Sequence, residues 1–311
     1  MEILRTPDDR FAGLMEFPLE PHYLELEVDG LAVRMHYLDE GEAERGTMLM
    51  LHGMPTWSYL YRRMIPPLVA AGYRCIAPDH IGFGRSDKVA DDAWYTIGRH
   101  TSNLGQFIRR LDLRGLTLIC QDWGGPIGLH QAVEMPERFA RLCIMNTWLH
   151  HPGYTYSEGI RRWHSLWQPG GPMETMQGCG FVMQNWVGSS PKGRAEPLTG
   201  EQAFAAYEAP FPDATWKAGP RRFPKSIPIY DESVGNAAVQ AEDFEHLKAW
   251  DKPVHFIWGT KDNVFTEEWG RAWAGMLEGA TFDPLEAGHF PQESHGAEIA
   301  HLLLDRIAEE R

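Results

Sequence analysis

Three side chains have the types and the order needed to make and break a covalent bond: Asp122, Asp262 and His289. Asp122 stands where the pattern changes abruptly. The apolar run Leu116 to Cys120 reads as a buried strand of a parallel sheet, and Gly124, Gly125 and Pro126 open a helical pattern directly after it. A strand that turns at once into a helix presents one side chain at its apex. Small residues two positions to either side, Cys120 and Gly124, leave room for so tight a turn. The apex residue is a carboxylate, which needs no base to deprotonate it and can attack carbon to form an ester. Capping of the following helix is the alternative use of an aspartate at this place.

Asp262 lies just beyond a second strand-like run, Val254 to Trp258, and turn formation by Gly259 and Asp262 is the rival reading. His289 follows a third, Thr281 to Leu285, and alone would say little. The order carries the weight: nucleophile, acid, histidine is the chain order of a triad built on a strand–helix elbow. A fourth strand, Met48 to His52, ends in Gly53. There the backbone can bend so that the N–H of Met54 points at the same place, although a plain turn would use the same residues.

Something must bring these strand ends together. Strand-like runs at 73–78, 116–120, 141–146, 254–258 and 281–285 alternate with helical patterns at 94–111, 125–134, 241–250 and 293–311. That rhythm predicts an α/β protein with a mostly parallel, doubly wound sheet and ligands at the carboxyl ends of its strands. Tyr23 to Val28 and Ala32 to Leu38, around Asp29-Gly30, predict an antiparallel pair at one edge. The glycine-rich stretch Asp79 to Asp87 lacks the lysine and hydroxyl residue of a phosphate loop, and reads as a structural loop below the site. The alternation stops from 148 to 228, a segment dense in Gly, Pro, Tyr and Trp that includes Trp148, Trp163, Trp167, Trp186 and Trp216. An insertion after a sheet strand predicts a lid enclosing a small apolar cavity, although aromatics of this kind also serve to pack a lid onto its base. The expected division is a main domain of residues 1–147 and 229–311 and a cap of residues 148–228.

Composition narrows the classes. The 311 residues are 43% apolar, enough for a large core, and the net charge of −14 excludes a nucleic-acid partner. No apolar run is long enough for a membrane helix, and the charged opening stretch does not read as a signal peptide, so a soluble cytoplasmic monomer is expected. Cys75, Cys120, Cys143 and Cys179 lack metal-ligand spacing, and neither a metal nor a disulfide is expected.

Taken together, these stretches resemble the haloalkane dehalogenases of the α/β-hydrolase superfamily over nearly the whole chain. The resemblance is carried by His52-Gly-Met-Pro-Thr-Trp-Ser-Tyr-Leu-Tyr-Arg, Ala77-Pro-Asp-His-Ile-Gly-Phe-Gly-Arg-Ser-Asp-Lys, Gln121-Asp-Trp-Gly-Gly, Tyr207-Glu-Ala-Pro-Phe-Pro-Asp and Gly288-His-Phe-Pro-Gln-Glu. The chain is similar to the branch whose acid follows the post-cap strand, here Asp262, and whose second halide donor is a cap tryptophan. Spacing back from Asn185-Trp186 selects Trp167 for that donor, with Trp163 as its competitor. The branch often carries Glu after His-Gly, where this chain has Met54. The resemblance implies an α/β-hydrolase fold with a helical cap and hydrolytic cleavage of small apolar haloalkanes by water, giving alcohol, halide and a proton without a cofactor. It implies Asp122 as nucleophile, His289 as base oriented by Asp262, Trp123 and Trp167 as halide donors, and the backbone N–H groups of Met54 and Trp123 as oxyanion hole. Two alternatives share the scaffold. An epoxide hydrolase would use the same triad with acidic tyrosines, for which Tyr154, Tyr156, Tyr207 and Tyr230 are candidates, and a ligand receptor would use no chemistry at all.

Overall fold

The turn at Asp29-Gly30, both residues at positive φ, joins β1 (His22–Val28) to β2 (Leu31–Glu40) as an antiparallel pair with Val28 opposite Leu31. The chain then alternates through β3 (Thr47–Leu51), α1 (Ile65–Ala70), β4 (Arg74–Pro78), α2 (Ile97–Arg110), β5 (Leu116–Gln121), α3 (Gly124–Glu134) and β6 (Phe139–Met145). After β6 come the helices α4 (Glu158–Trp167), α5 (Gly200–Glu208), α6 (Ala218–Lys225) and α7 (Ala237–Leu247), and then β7 (Val254–Gly259), α8 (Glu267–Ala274), β8 (Thr281–Leu285) and α9 (Pro291–Glu309). The computed structural model describes residues 1–171, 173 and 200–310, so Cys179, Asn185 and Trp186 lie outside the described residues.

The sheet has eight strands in the order β8-β7-β6-β5-β3-β4-β2-β1. From β4 to β8 every neighbouring pair is parallel, and β2 joins β4 antiparallel. Alternation along β3 shows why both faces need helices. Leu49 and Leu51 pack into one core with Leu104 and Phe107 of α2 and Ile127 of α3. Met48 and Met50 pack into the other with Leu68 of α1 and Ile299 and Leu303 of α9. A strand covered on both faces is largely apolar, and all six residues of β5 are buried, the polar Thr117 and Gln121 among them. Cys75, Cys120 and Cys143 are buried free thiols that fill these cores. No described helix is long and apolar enough to cross a membrane.

Between β6 and β7 the described residues contain no strand. Ser157 caps α4 by accepting from the N–H of Ile160 at 3.1 Å, and its hydroxyl donates to the Val264 carbonyl at 2.7 Å, which ties α4 to the loop after β7. The helix α5 is held from below by a buried charge. Arg62 and Glu293, both fully buried at their side chains, form a two-pronged pair, and the Tyr207 hydroxyl of α5 donates to Glu293 Oε2 at 2.6 Å. The indole of Trp57 also donates to the Ala206 carbonyl at 3.1 Å. One helix starts earlier than its apolar pattern suggests: α7 begins at Ala237, because Asn236 takes a left-handed conformation (φ +60°) that turns the chain into it.

Glu293→Leu strands the buried Arg62 guanidinium and should destabilise the fold by about 3–5 kcal/mol, whereas Tyr207→Phe, which removes one hydrogen bond to a charged group, should cost about 1.5–3 kcal/mol. Urea unfolding of the two variants checks the ranking, and equal losses would sink the assignment of Arg62–Glu293 as the main anchor of α5.

Candidate active site

The site is assembled from the loops that leave the carboxyl ends of β3, β5, β6, β7 and β8. At the end of β5 the chain turns sharply enough to place Asp122 at φ +51°, a conformation that side chains other than glycine rarely hold. Two glycines make that possible. A Cβ on Gly124 would run into the Leu51 carbonyl of β3, and a Cβ on Gly53 would run into the Asp122 side chain itself. The helix-capping reading of Asp122 does not hold: α3 has no side-chain cap, and the Asp122 carboxylate turns the other way. Its Oδ1 accepts the backbone N–H of Met54 at 2.7 Å. Its Oδ2 faces His289 Nε2 at 3.6 Å, a looser approach. Thr147 fixes the backbone of the turn by donating to the Asp122 carbonyl at 2.5 Å.

Asp262 is the acid behind the histidine. Its Oδ2 accepts His289 Nδ1–H at 2.8 Å and Asn146 Nδ2–H at 3.0 Å, and its Oδ1 accepts the N–H of Val264 at 2.7 Å. A carboxylate so surrounded by donors is held in one orientation and fixes the tautomer of the imidazole, leaving Nε2 toward the cavity. Gln121 donates to the His289 carbonyl at 2.9 Å and holds the loop from the other side. Burial alone would lower the pKa of His289, but the carboxylates of Asp262 and Asp122 outweigh it and push the imidazole up to about 10.

The cavity above these groups is lined by Met54, Asp122, Trp123, Ile160, Trp163, Ile227, Val264, Phe265 and His289. Its lining leaves about 10 Å³ for the centre of a water-sized body, room for a single water or halide. Apart from the carboxylate, the imidazole and two indoles, the described walls are the apolar side chains of Met54, Ile160, Ile227, Val264 and Phe265. Trp123 and Trp163 therefore meet at the cavity, the first from the elbow and the second from α4. Trp167, the cap tryptophan chosen by spacing, is placed elsewhere. It shares the face of α4 with Ile160 and Trp163, but it sits one turn further on, packed edge-on against Trp163 at 5.3 Å and outside the cavity lining.

None of the tyrosines lines the cavity. Tyr207 is committed to Glu293, Tyr156 to His150 at 2.8 Å, and residues 172–199 contain no tyrosine. The acidic donor that an epoxide hydrolase requires is missing from the site. The glycine-rich loop 79–87 lies under it as a support: Asp79 accepts from the N–H groups of Ser58 and Arg85 and pairs with His36. Sequence reasoning missed Asn146, whose side chain spans Asp262 and both backbone groups of Gly259. Its signal was a single polar residue ending the apolar run Leu142 to Met145. The walls at Ile160, Ile227 and Phe265 carried no signal of their own.

Residues 46–169 match the model of the alpha/beta hydrolase fold family. Over 99% of its length the chain is 39% identical to a haloalkane dehalogenase of Psychrobacter cryohalolentis, covering 98% of that protein. It is 38% identical to a haloalkane dehalogenase of Mycobacterium marinum, with 98% of this chain and 99% of that one aligned. Among solved structures it superposes on the tetrameric haloalkane dehalogenase DpaA of Paraglaciecola agarilytica NO2 with a TM-score of 0.86, at 35% identity and 97% coverage of both chains. Likeness of this degree, running from end to end, leaves one placement: the chain belongs to the haloalkane dehalogenases, α/β-hydrolases that cleave carbon–halogen bonds with water.

Proposed function

We propose that the dehalogenation runs through an ester on Asp122, hydrolysed with the help of His289 and Asp262. The observation that carries this reading is the unequal treatment of the two carboxylate oxygens. Oδ1 is tied to the N–H of Met54 at 2.7 Å, whereas Oδ2 stands 3.6 Å from the imidazole it faces. Oδ2 is the attacking oxygen. It displaces halide in line from the carbon, and the leaving anion is met by the indole N–H groups of Trp123 and Trp163, donors with no lone pair to repel it. Trp163 takes this role rather than Trp167 because, of the two, it is the one at the cavity wall.

Oδ1 then becomes the carbonyl oxygen of the ester and already sits on its donor. Water, deprotonated by His289 Nε2, adds to the Asp122 carboxyl carbon, and the N–H groups of Met54 and Trp123 hold the oxyanion. Collapse returns the carboxylate and releases the alcohol. Esterification also prepares the base. Asp122 is one of the two anions that hold the His289 pKa up, and the ester carries no charge, so the imidazole becomes easier to deprotonate when a base is required. The substrates are small haloalkanes without charged or hydroxyl groups, because no described side chain other than the reacting ones could satisfy them in the cavity.

Halide release from 1,2-dibromoethane and 1-bromobutane, followed as proton production in weak buffer, tests the scheme. Asp122→Asn should release none. His289→Gln should release about one halide per enzyme and carry an alkyl adduct on Asp122 by mass spectrometry; sustained turnover by that variant would refute the assigned base. Trp163→Phe should weaken bromide binding by about tenfold to a hundredfold, the worth of a hydrogen bond to an anion, and Trp167→Phe by far less; the reverse ranking would restore Trp167 as the donor. In Asp122→Asn the His289 imidazole, deprived of one anion, should titrate at a lower pH than in the wild-type protein when both are followed by NMR, and an unchanged titration would deny the coupling.

A further inference from the structure

Trp148 lies three residues beyond the end of β6, is fully buried, and is absent from the cavity lining. It belongs to an unbroken column of rings. Its indole meets that of Trp123 edge to face at 4.6 Å and 72°. It also stacks on Phe265 at 4.9 Å and 15°, and Phe265 packs against the His289 ring at 5.5 Å. Phe223 of α6 also packs edge-on against Trp123, at 5.3 Å and 77°, and itself meets the rings of Phe83 and His100. The column therefore runs Phe223, Trp123, Trp148, Phe265, His289.

We propose that Trp148 is a positioning residue that sets the indole of Trp123 toward the departing halide and, through Phe265, steadies the ring of His289. The inference rests on the reading of Trp123 as a halide donor. A tryptophan can donate to a halide only if its ring is turned to one angle, and the Trp123 backbone does not decide that angle. The ring is gripped from two sides. Phe223 belongs to a helix inserted between β6 and β7, whereas Trp148 follows β6 directly, and its neighbour Thr147 is tied by its hydroxyl to Asp122 and by its carbonyl to the indole N–H of Trp269 at 3.0 Å. The rigid grip is that of Trp148. Edge-to-face geometry matters because the positive edge of one ring sits on the negative face of the other, and an aliphatic side chain of equal volume offers no such preference.

Bromide inhibition of turnover and the thermal midpoint, measured side by side, separate positioning from packing. Trp148→Leu should raise the bromide inhibition constant by about threefold to tenfold, the size of one aromatic pair, and Trp148→Phe should restore it to within about twofold. Phe107→Leu, in the core between α2 and β2, should lower the thermal midpoint without moving bromide inhibition. Trp148→Met against Trp148→Phe gives the same comparison should the leucine variant not fold. Unchanged bromide inhibition in the ring-lacking variants, or an equal rise in Phe107→Leu, would overturn the proposal. Trp123→Phe distinguishes the two levels: if it leaves bromide inhibition unchanged, the donor reading itself fails, whereas a large rise there with none in Trp148→Leu removes only the positioning role.

Discussion

The close approach of Gly53 to the side chain of Asp122 is the constraint on which the rest depends. Two parallel strands, β3 and β5, end side by side, and the loop from one must pass within hydrogen-bonding distance of the apex of the other. Only a residue without a side chain can pass so near, and only then does the N–H of Met54 reach Oδ1. The positive φ of Asp122 is the counterpart of that approach on the other strand. A backbone conformation of this kind persists only when its surroundings over-determine it. Here they do, through Thr147 on the carbonyl, Met54 on the carboxylate and Gly124 tucked against Leu51.

Around that apex the charges are arranged so that none is left without a partner among the described residues. Asp262 receives three donors, the imidazole among them, and Asp122 receives one and faces the same ring. Among the described cavity residues there is no lysine or arginine to hold a departing halide. In the proposed reaction its place is marked instead by the indoles of Trp123 and Trp163. An ammonium or guanidinium there would bind halide strongly at rest and hold it after reaction; weak, fixed dipoles stabilise charge as it forms and let it go.

Much of this was legible in the chain. The elbow, the order of Asp122, Asp262 and His289, and the glycine after His52 are local signals, because each depends on a turn whose residues are adjacent in sequence. Most of the parallel strands were legible because short, largely apolar runs mark strands covered on both faces, whereas β8 contains Asp283 and Pro284 and is buried only at Leu285. What was not legible depends on which way a helix faces. Trp163 and Trp167 are four residues apart on α4 and share one face, so periodicity cannot choose between them. The spacing used to choose ran back from Asn185-Trp186, outside the described residues. Ile160, Ile227 and Phe265 were invisible for a related reason, since an apolar residue at a cavity wall has the same pattern as one in a core. Asn146 was missed because its partners Asp262 and Gly259 are more than a hundred residues away in the chain.

The narrowness of the cavity has a thermodynamic consequence. A large hydrated pocket draws in an apolar ligand by releasing water, and the gain is entropic. Here the described walls leave space for about one water, so that an arriving alkyl chain has little to expel from among them. Association must then draw on dispersion between the chain and the rings and methyl groups that part to admit it. In a calorimeter this protein should take up its ligands with a release of heat that supplies most of the affinity, the reverse of what the transfer of the same molecules from water to oil would give at room temperature.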